Sequence, residues 1–204
     1  MKALAQWMAI ALLLVVYLAA LWALSHPNVS EGYRAYYIEH LTSDWSPVRY
    51  PGSPAQGIDF KRPGLPEWVG LTIGFSTRED WGRWTDGNVA KIPELTLAQP
   101  VSGPVCLDFT LRPAASQVEK SFAVRMGSET KAVSYKTANF ADYKVPFTLP
   151  QGVDRVEFLL PAKLPRQGEV EPTSSDMRRL GLAFVNLRIT PGDCPVDPAQ
   201  PSGP

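Results

Sequence analysis

Hydrophobicity runs along this chain in three different periods. Residues 7–24, WMAIALLLVVYLAALWAL, are 18 positions without a charge. At ~1.5 Å per residue such a run rises about 27 Å as a helix, close to the hydrocarbon thickness of a bilayer. Next, HPNVSEGYRAYYIEHLT (26–42) spaces Tyr33, Tyr36, Tyr37, His40 and Leu41 at helical intervals behind Ser30, a possible N-cap. That predicts a short amphipathic helix, its tyrosines either at a membrane surface or packed on the following domain. Residues 43–67 are rich in Pro, Gly and Ser and read as a long connection with a short extended piece at Ile58-Asp59-Phe60.

Beyond it the period falls to two. Val105, Leu107, Phe109 and Leu111 alternate with polar neighbours, as do Val145, Phe147 and Leu149, and Val156, Phe158 and Leu160. Each set gives a strand one buried and one wet face. Strands are predicted at 68–76, 89–97, 104–112, 121–126, 131–135, 144–149, 154–161 and 180–190. In the last, Leu180, Leu182 and Phe184 change phase to Val185, Leu187 and Ile189, which a bulge or a doubly buried strand would explain. The expected fold is all-β: a jelly-roll-like β-sandwich of about eight strands, preceded by an N-terminal membrane helix and the short amphipathic helix. The boundaries follow: 1–25 membrane anchor or signal, 26–57 short helix and linker, 58–190 sandwich, 191–204 Pro-rich tail.

Composition narrows the function. Twenty prolines and 15 glycines scattered among short apolar runs suit a turn-rich β protein. Lys+Arg and Asp+Glu balance at 20 each, which argues against nucleic acid as partner, since phosphate neutralisation needs a basic excess. The apolar N-terminus is an uncleaved anchor or a cleaved signal. Its best small-x-small triplet, Ala23-Leu24-Ser25, follows directly on Trp22 and favours the anchor, and Lys2 places the N-terminus inside. Export makes Cys106 and Cys194 a candidate disulfide if their strands are antiparallel neighbours; otherwise Cys106 is buried and Cys194 free in the tail.

Little of the usual catalytic chemistry is present. The two histidines, His26 and His40, have no metal-ligand spacing, and no nucleophile elbow, phosphate loop or dinucleotide fingerprint occurs. No cofactor, metal or catalytic residue is expected, although paired carboxylates such as Glu79, Asp80 and Asp86 leave a carboxylate-based glycan hydrolase or transferase open. The stretch DWGRWTDG (80–87) stands out. If 81–84 is extended, Trp81 and Arg83 share one face, with Glu79, while Gly82 and Trp84 share the other. As structure, Arg83 or Arg178 pairs with Glu79 or Asp176 and the tryptophans pin a sheet corner. As a site, an exposed Trp stacks on a sugar ring while Arg and Glu hold its hydroxyls or an anionic substituent. Trp45, Tyr50 and Trp68 form a weaker aromatic set.

Three blocks carry a resemblance: IDFKRPGLPEWV, GFSTREDWGRWTDG and SSDMRRLGLAFVNLRI. In this order they resemble the periplasmic C-terminal β-sandwich of bacterial membrane phosphoglycerol transferases and envelope polysaccharide glycosyltransferases. The matching positions are Ile58, Asp59, Phe60, Gly64, Leu65, Pro66, Gly74, Ser76, Glu79, Trp81, Gly82, Arg83, Trp84 and Thr85, then Asp176, Arg178, Leu180 and Gly181. In those relatives the module hangs from a multi-helix enzyme; here one helix precedes it, so transferase activity is not implied. What the resemblance implies is a non-catalytic periplasmic accessory protein, held to the bacterial inner membrane by a single pass or secreted after cleavage. It would act in envelope glycan synthesis or modification by binding glycan. The alternative is a structural subunit of a membrane-embedded glycosyl- or phosphoglycerol transferase complex. Candidate ligand-binding residues are Trp81, Arg83, Trp84, Glu79, Asp176 and Arg178.

Overall fold

The computed structural model describes residues 2–26, 28–43, 48–90, 92–161 and 164–195, so Trp45 and the tail from 196 lie outside the described residues. The chain divides into two units, Met1–Glu31 and Gly32–Pro204. The first is α1, Lys2–Ser25. Its window Leu4–Ser25 is long and apolar enough to cross a membrane, and its side chains are exposed in the absence of a bilayer.

The predicted amphipathic helix is shorter than its spacing suggested. A single turn, α2 (Glu31–Tyr33), runs into a π-helical turn, Arg34–Ile38, and ends before His40, which takes φ 54°. Ala35 is its buried contact, whereas Tyr33, Tyr37 and Ile38 are exposed. The Pro/Gly-rich connection holds three short strands. β1 (Arg49–Tyr50) pairs in parallel with β3 (Leu65–Pro66), and β2 (Ile58–Asp59) joins the main sheet. Tyr50, Ile58, Phe60 and Leu65 are buried, so this segment packs as part of the domain from residue 49 onward.

The remaining strands are β4 (Val69–Ile73), β5 (Arg83–Asp86), β6 (Glu94–Pro113), β7 (Ser121–Met126), β8 (Glu129–Ser134), β9 (Ala141–Leu159) and β10 (Leu180–Pro191). A helical turn, α3 (Gln167–Val170), lies between β9 and β10. The fold is all-β and sandwich-like. The main sheet has eight strands in the order β2-β10-β6-β9-β7-β8, with β4 on β6 and β5 on β10. Two pairs of predicted strands are each one long strand: 89–97 with 104–112 becomes β6, and 144–149 with 154–161 becomes β9. The β6–β9 ribbon serves both layers. Its 94–97 half joins β4, and the 156–159 end of β9 joins β7. Residues 105–113 of β6 instead lie beside β10. Register shifts between Thr96 and Gly103 mark the crossing.

Apolar side chains of both layers meet between them. Phe184 of β10 lies 4.8 Å from Phe158 of β9 and 5.7 Å from Phe75, and Phe109 of β6 lies 6.3 Å from Phe122 of β7, ring centre to ring centre. The phase change in β10 is a bulge: the register on β6 shifts between Phe184 and Asn186, leaving Val185 as the extra residue. Leu182, Phe184, Leu187 and Ile189 therefore all reach the core. Cys106 and Cys194 are bridged, with Cα atoms 4.8 Å apart. Cys106 faces Thr190 near the end of β10, the juxtaposition an antiparallel pair requires.

Candidate functional site

The two motif blocks meet in space. A tight turn closes residues 79–82: Glu79 N–H donates to the Gly82 carbonyl at 2.8 Å, and Gly82 N–H donates back at 3.2 Å. The Arg178 guanidinium donates to Asp176 (Nη2 to Oδ2, 2.7 Å) and to Glu79 (Nη1 to Oε1, 2.8 Å). Trp81 Nε1–H donates to the other oxygen of Glu79 at 2.9 Å. The Arg178 hydrogen bonds hold the Asp176 carboxyl below its ordinary pKa, and its two carboxylate partners push Arg178 up. Asp86 accepts from the backbone of both Asn88 and Arg179, tying the Asp176–Arg178 turn to β5.

The alternation expected for 81–84 does not hold, because the turn swings Trp81 back onto Trp84, 5.4 Å away and edge-on. Arg83 (3% exposed) and Trp84 (8%) are buried, so neither offers a face to a ligand. Trp84 packs with Ala114, Leu180 and Ala183 in a second small apolar cluster. Trp81, Glu79, Asp176 and Arg178 remain partly exposed, the last three saturated with one another. Tyr50 and Trp68 are buried.

An open groove of about 630 Å³ lies on the outward face of β2, β10, β6 and β9. Since Val105, Leu107, Phe109 and Leu111 point into the core, Asp108, Thr110 and Arg112 point out. Asp59, Asn186, Thr110 and Asp142 are successive register partners and form one polar row across four strands. Thr110 Oγ1 lies 2.5 Å from Asp142 Oδ1 and 3.2 Å from Asn186 Oδ1. A second row holds Arg188, Asp108 and Lys144, with Arg188 Nη2 2.7 Å from Asp108 Oδ2. Two residues further along β6, and two before Asp142, are Arg112 and Phe140. Same-face neighbours in a strand are roughly 7 Å apart, so an aromatic edge borders the polar floor. Phe140 is 38% exposed and lies 5.6 Å from the Trp81 ring.

None of the sequence-predicted ligand residues lines the groove itself; of them Trp81 is linked to its border, through its contact with Phe140. The floor was missed because isolated Asp, Thr and Asn residues between apolar ones read as the wet side of a strand. The strand pattern did carry the signal that Asp108 and Thr110 face outward together, but their partners across the sheet are set by long-range pairing. The cross-strand carboxylates Glu94 and Glu157 do not line the groove. Burial raises the pKa of Glu94, while the Arg125 hydrogen bond lowers that of Glu157.

No curated protein matches this chain. Similar solved structures include a mutant family 29 carbohydrate-binding module, with TM-score 0.45 and 14% identity over 70% of this chain and 96% of that one. Another mutant of that module, complexed with mannohexaose, has TM-score 0.43 and 14% identity over 65% of this chain and 87% of that one. Likeness at this level assigns no ligand here. Residues 45–191 match the profile of a family described as a domain of unknown function, DUF7024, and the chain belongs to that family.

Proposed function

We propose that the β-domain is a non-catalytic glycan-binding module, carried by α1 at the outer side of the bacterial inner membrane and accessory to the synthesis or modification of an envelope glycan. The observation that carries this is the groove: an open floor of hydrogen-bonding side chains beside an aromatic edge. Sugars need that combination, since hydroxyls require directional donors and acceptors while the apolar face of the ring packs on aromatic carbon. The same reading takes the sequence resemblance to the phosphoglycerol transferase module to mean a shared role in the periplasm. The burial of Arg83 and Trp84, and the exposed Tyr33, Tyr37 and Ile38, favour a second reading: a structural subunit that meets a membrane-embedded glycan transferase.

The deciding experiment is a glycan array probed with the full chain in detergent, beside Trp81→Ala and a Thr110→Ala, Asn186→Ala double variant, each with a melting curve. The module reading expects wild-type binding and about tenfold weaker binding by variants that melt normally, some 1.4 kcal/mol. An array on which the wild type binds nothing sinks it and leaves the subunit.

A further inference from the structure

Arg112 has a setting that no other described cation shares. Its guanidinium carbon lies 5.7 Å from the Trp81 ring, 5.1 Å from Trp84 and 5.2 Å from Phe140. No carboxylate among the described residues pairs with it, and its buried Nε has no hydrogen-bond partner. Most other arginines near the groove are matched: Arg178 holds two carboxylates and Arg188 holds Asp108. A buried guanidinium edge without an acceptor is costly, and the three surrounding rings attract the cation without offering it a hydrogen-bond acceptor.

The charge of the neighbouring floor points the same way. With Arg188 neutralised by Asp108, the groove keeps Lys61, Lys136 and Lys144 against Asp59 and Asp142. The face is therefore locally basic in a chain of zero net charge. We infer that Arg112, one same-face step along β6 beyond the groove residue Thr110, is an anion fork bordering the groove, selecting glycans that carry a carboxylate or phosphate group. This rests on the glycan-binding reading and specifies its ligand class. A planar guanidinium meets either group through two parallel hydrogen bonds, and a ring of the same sugar chain covers Trp81 and Phe140.

The test is calorimetric titration of the full chain in detergent with three probes: hexagalacturonate, a mannohexaose bearing one 6-phosphate, and plain mannohexaose. Each is run at about 20 mM and about 500 mM salt, where screening lengths differ severalfold. The expected result is at least tenfold tighter binding of one acidic probe than of the neutral one at low salt, narrowing at high salt. The acidic probe that binds identifies the group. Arg112→Gln removes that preference, and Arg112→Lys restores part of it, because charge returns without the fork. Equal binding of acidic and neutral probes by the wild type overturns the inference while leaving the module intact, and that comparison needs no variant to fold. A preference unchanged in Arg112→Gln also overturns it, making Arg112 a staple for the rings. If no probe binds, the inference fails, and the module stands or falls by the glycan array.

Discussion

At the scale of single residues, the Trp-Gly-Arg-Trp stretch is explained by its glycine. Gly82 has φ 150°, and a Cβ there would collide with the Phe184 carbonyl of β10, which is backbone and cannot step aside. Gly82 therefore lets the 79–82 turn lie flat on the bulge of β10, so that Glu79 reaches Arg178 and Trp81 folds onto Trp84. Gly103 is a useful contrast: it also has a positive φ, 81°, but a methyl group added there would find nothing within 4 Å. Gly103→Ala meets only backbone strain, about 1 kcal/mol. Gly82→Ala meets strain and a collision together, and is expected to cost about 3 kcal/mol or more. Urea melts of the two variants check this. Equal losses would mean that the turn on β10 can shift and that the tight seat is not what holds the corner.

At the scale of elements, β7, the second half of β10 and the alternating halves of β6 and β9 were legible in the sequence because one face of each is core and the other wet, whereas Leu180–Phe184 of β10 are buried on both faces. β5 was not. Arg83, Trp84, Thr85 and Asp86 are all buried, so no alternation marks them, and Thr85 and Asp86 are buried as acceptors for the backbone of Leu182, Asn88 and Arg179. The joins within β6 and β9 were also hidden, since the crossing between layers runs through exposed Pro100, half-buried Gly103 and exposed Pro150 to Gly152, which read as turns. The groove was illegible for the same reason, its polar row being assembled from four strands. The disulfide was half legible: spacing made it possible, and the β6–β10 pairing makes it close. It joins elements 88 residues apart, and the chain-entropy account gives a loop of that size about 4.6 kcal/mol. Reduction should therefore lower the melting temperature by on the order of 10 °C. Oxidised and reduced protein melting together would show that strand pairing alone holds the end of β10.

At the scale of the whole molecule, the remaining question is whether α1 stays attached. Leu4–Ser25 spans 22 residues, a rise of about 33 Å, enough to cross a hydrocarbon core of ~30 Å with modest tilt. A secretory signal has a shorter apolar stretch, of roughly 7–15 residues, and a small-residue cleavage site. Here the apolar character continues to Leu24, and the bulky Trp22 directly precedes the small-x-small triplet Ala23-Leu24-Ser25, its ring stacked 5.0 Å from His26. The bridged Cys106 and Cys194 fit an oxidising compartment on the far side of that membrane. The glycan-binding proposal needs the domain there, but a freed module and a tethered one would work differently. A tether confines the module to glycan made or modified within reach of the bilayer and raises its effective concentration there. The expected outcome is that the full chain, expressed in a bacterium, stays in the membrane pellet after alkaline carbonate washing, dissolves only in detergent, and retains its N-terminal peptide by mass spectrometry. A soluble periplasmic product beginning near His26 would make α1 a signal and the module a diffusing binder.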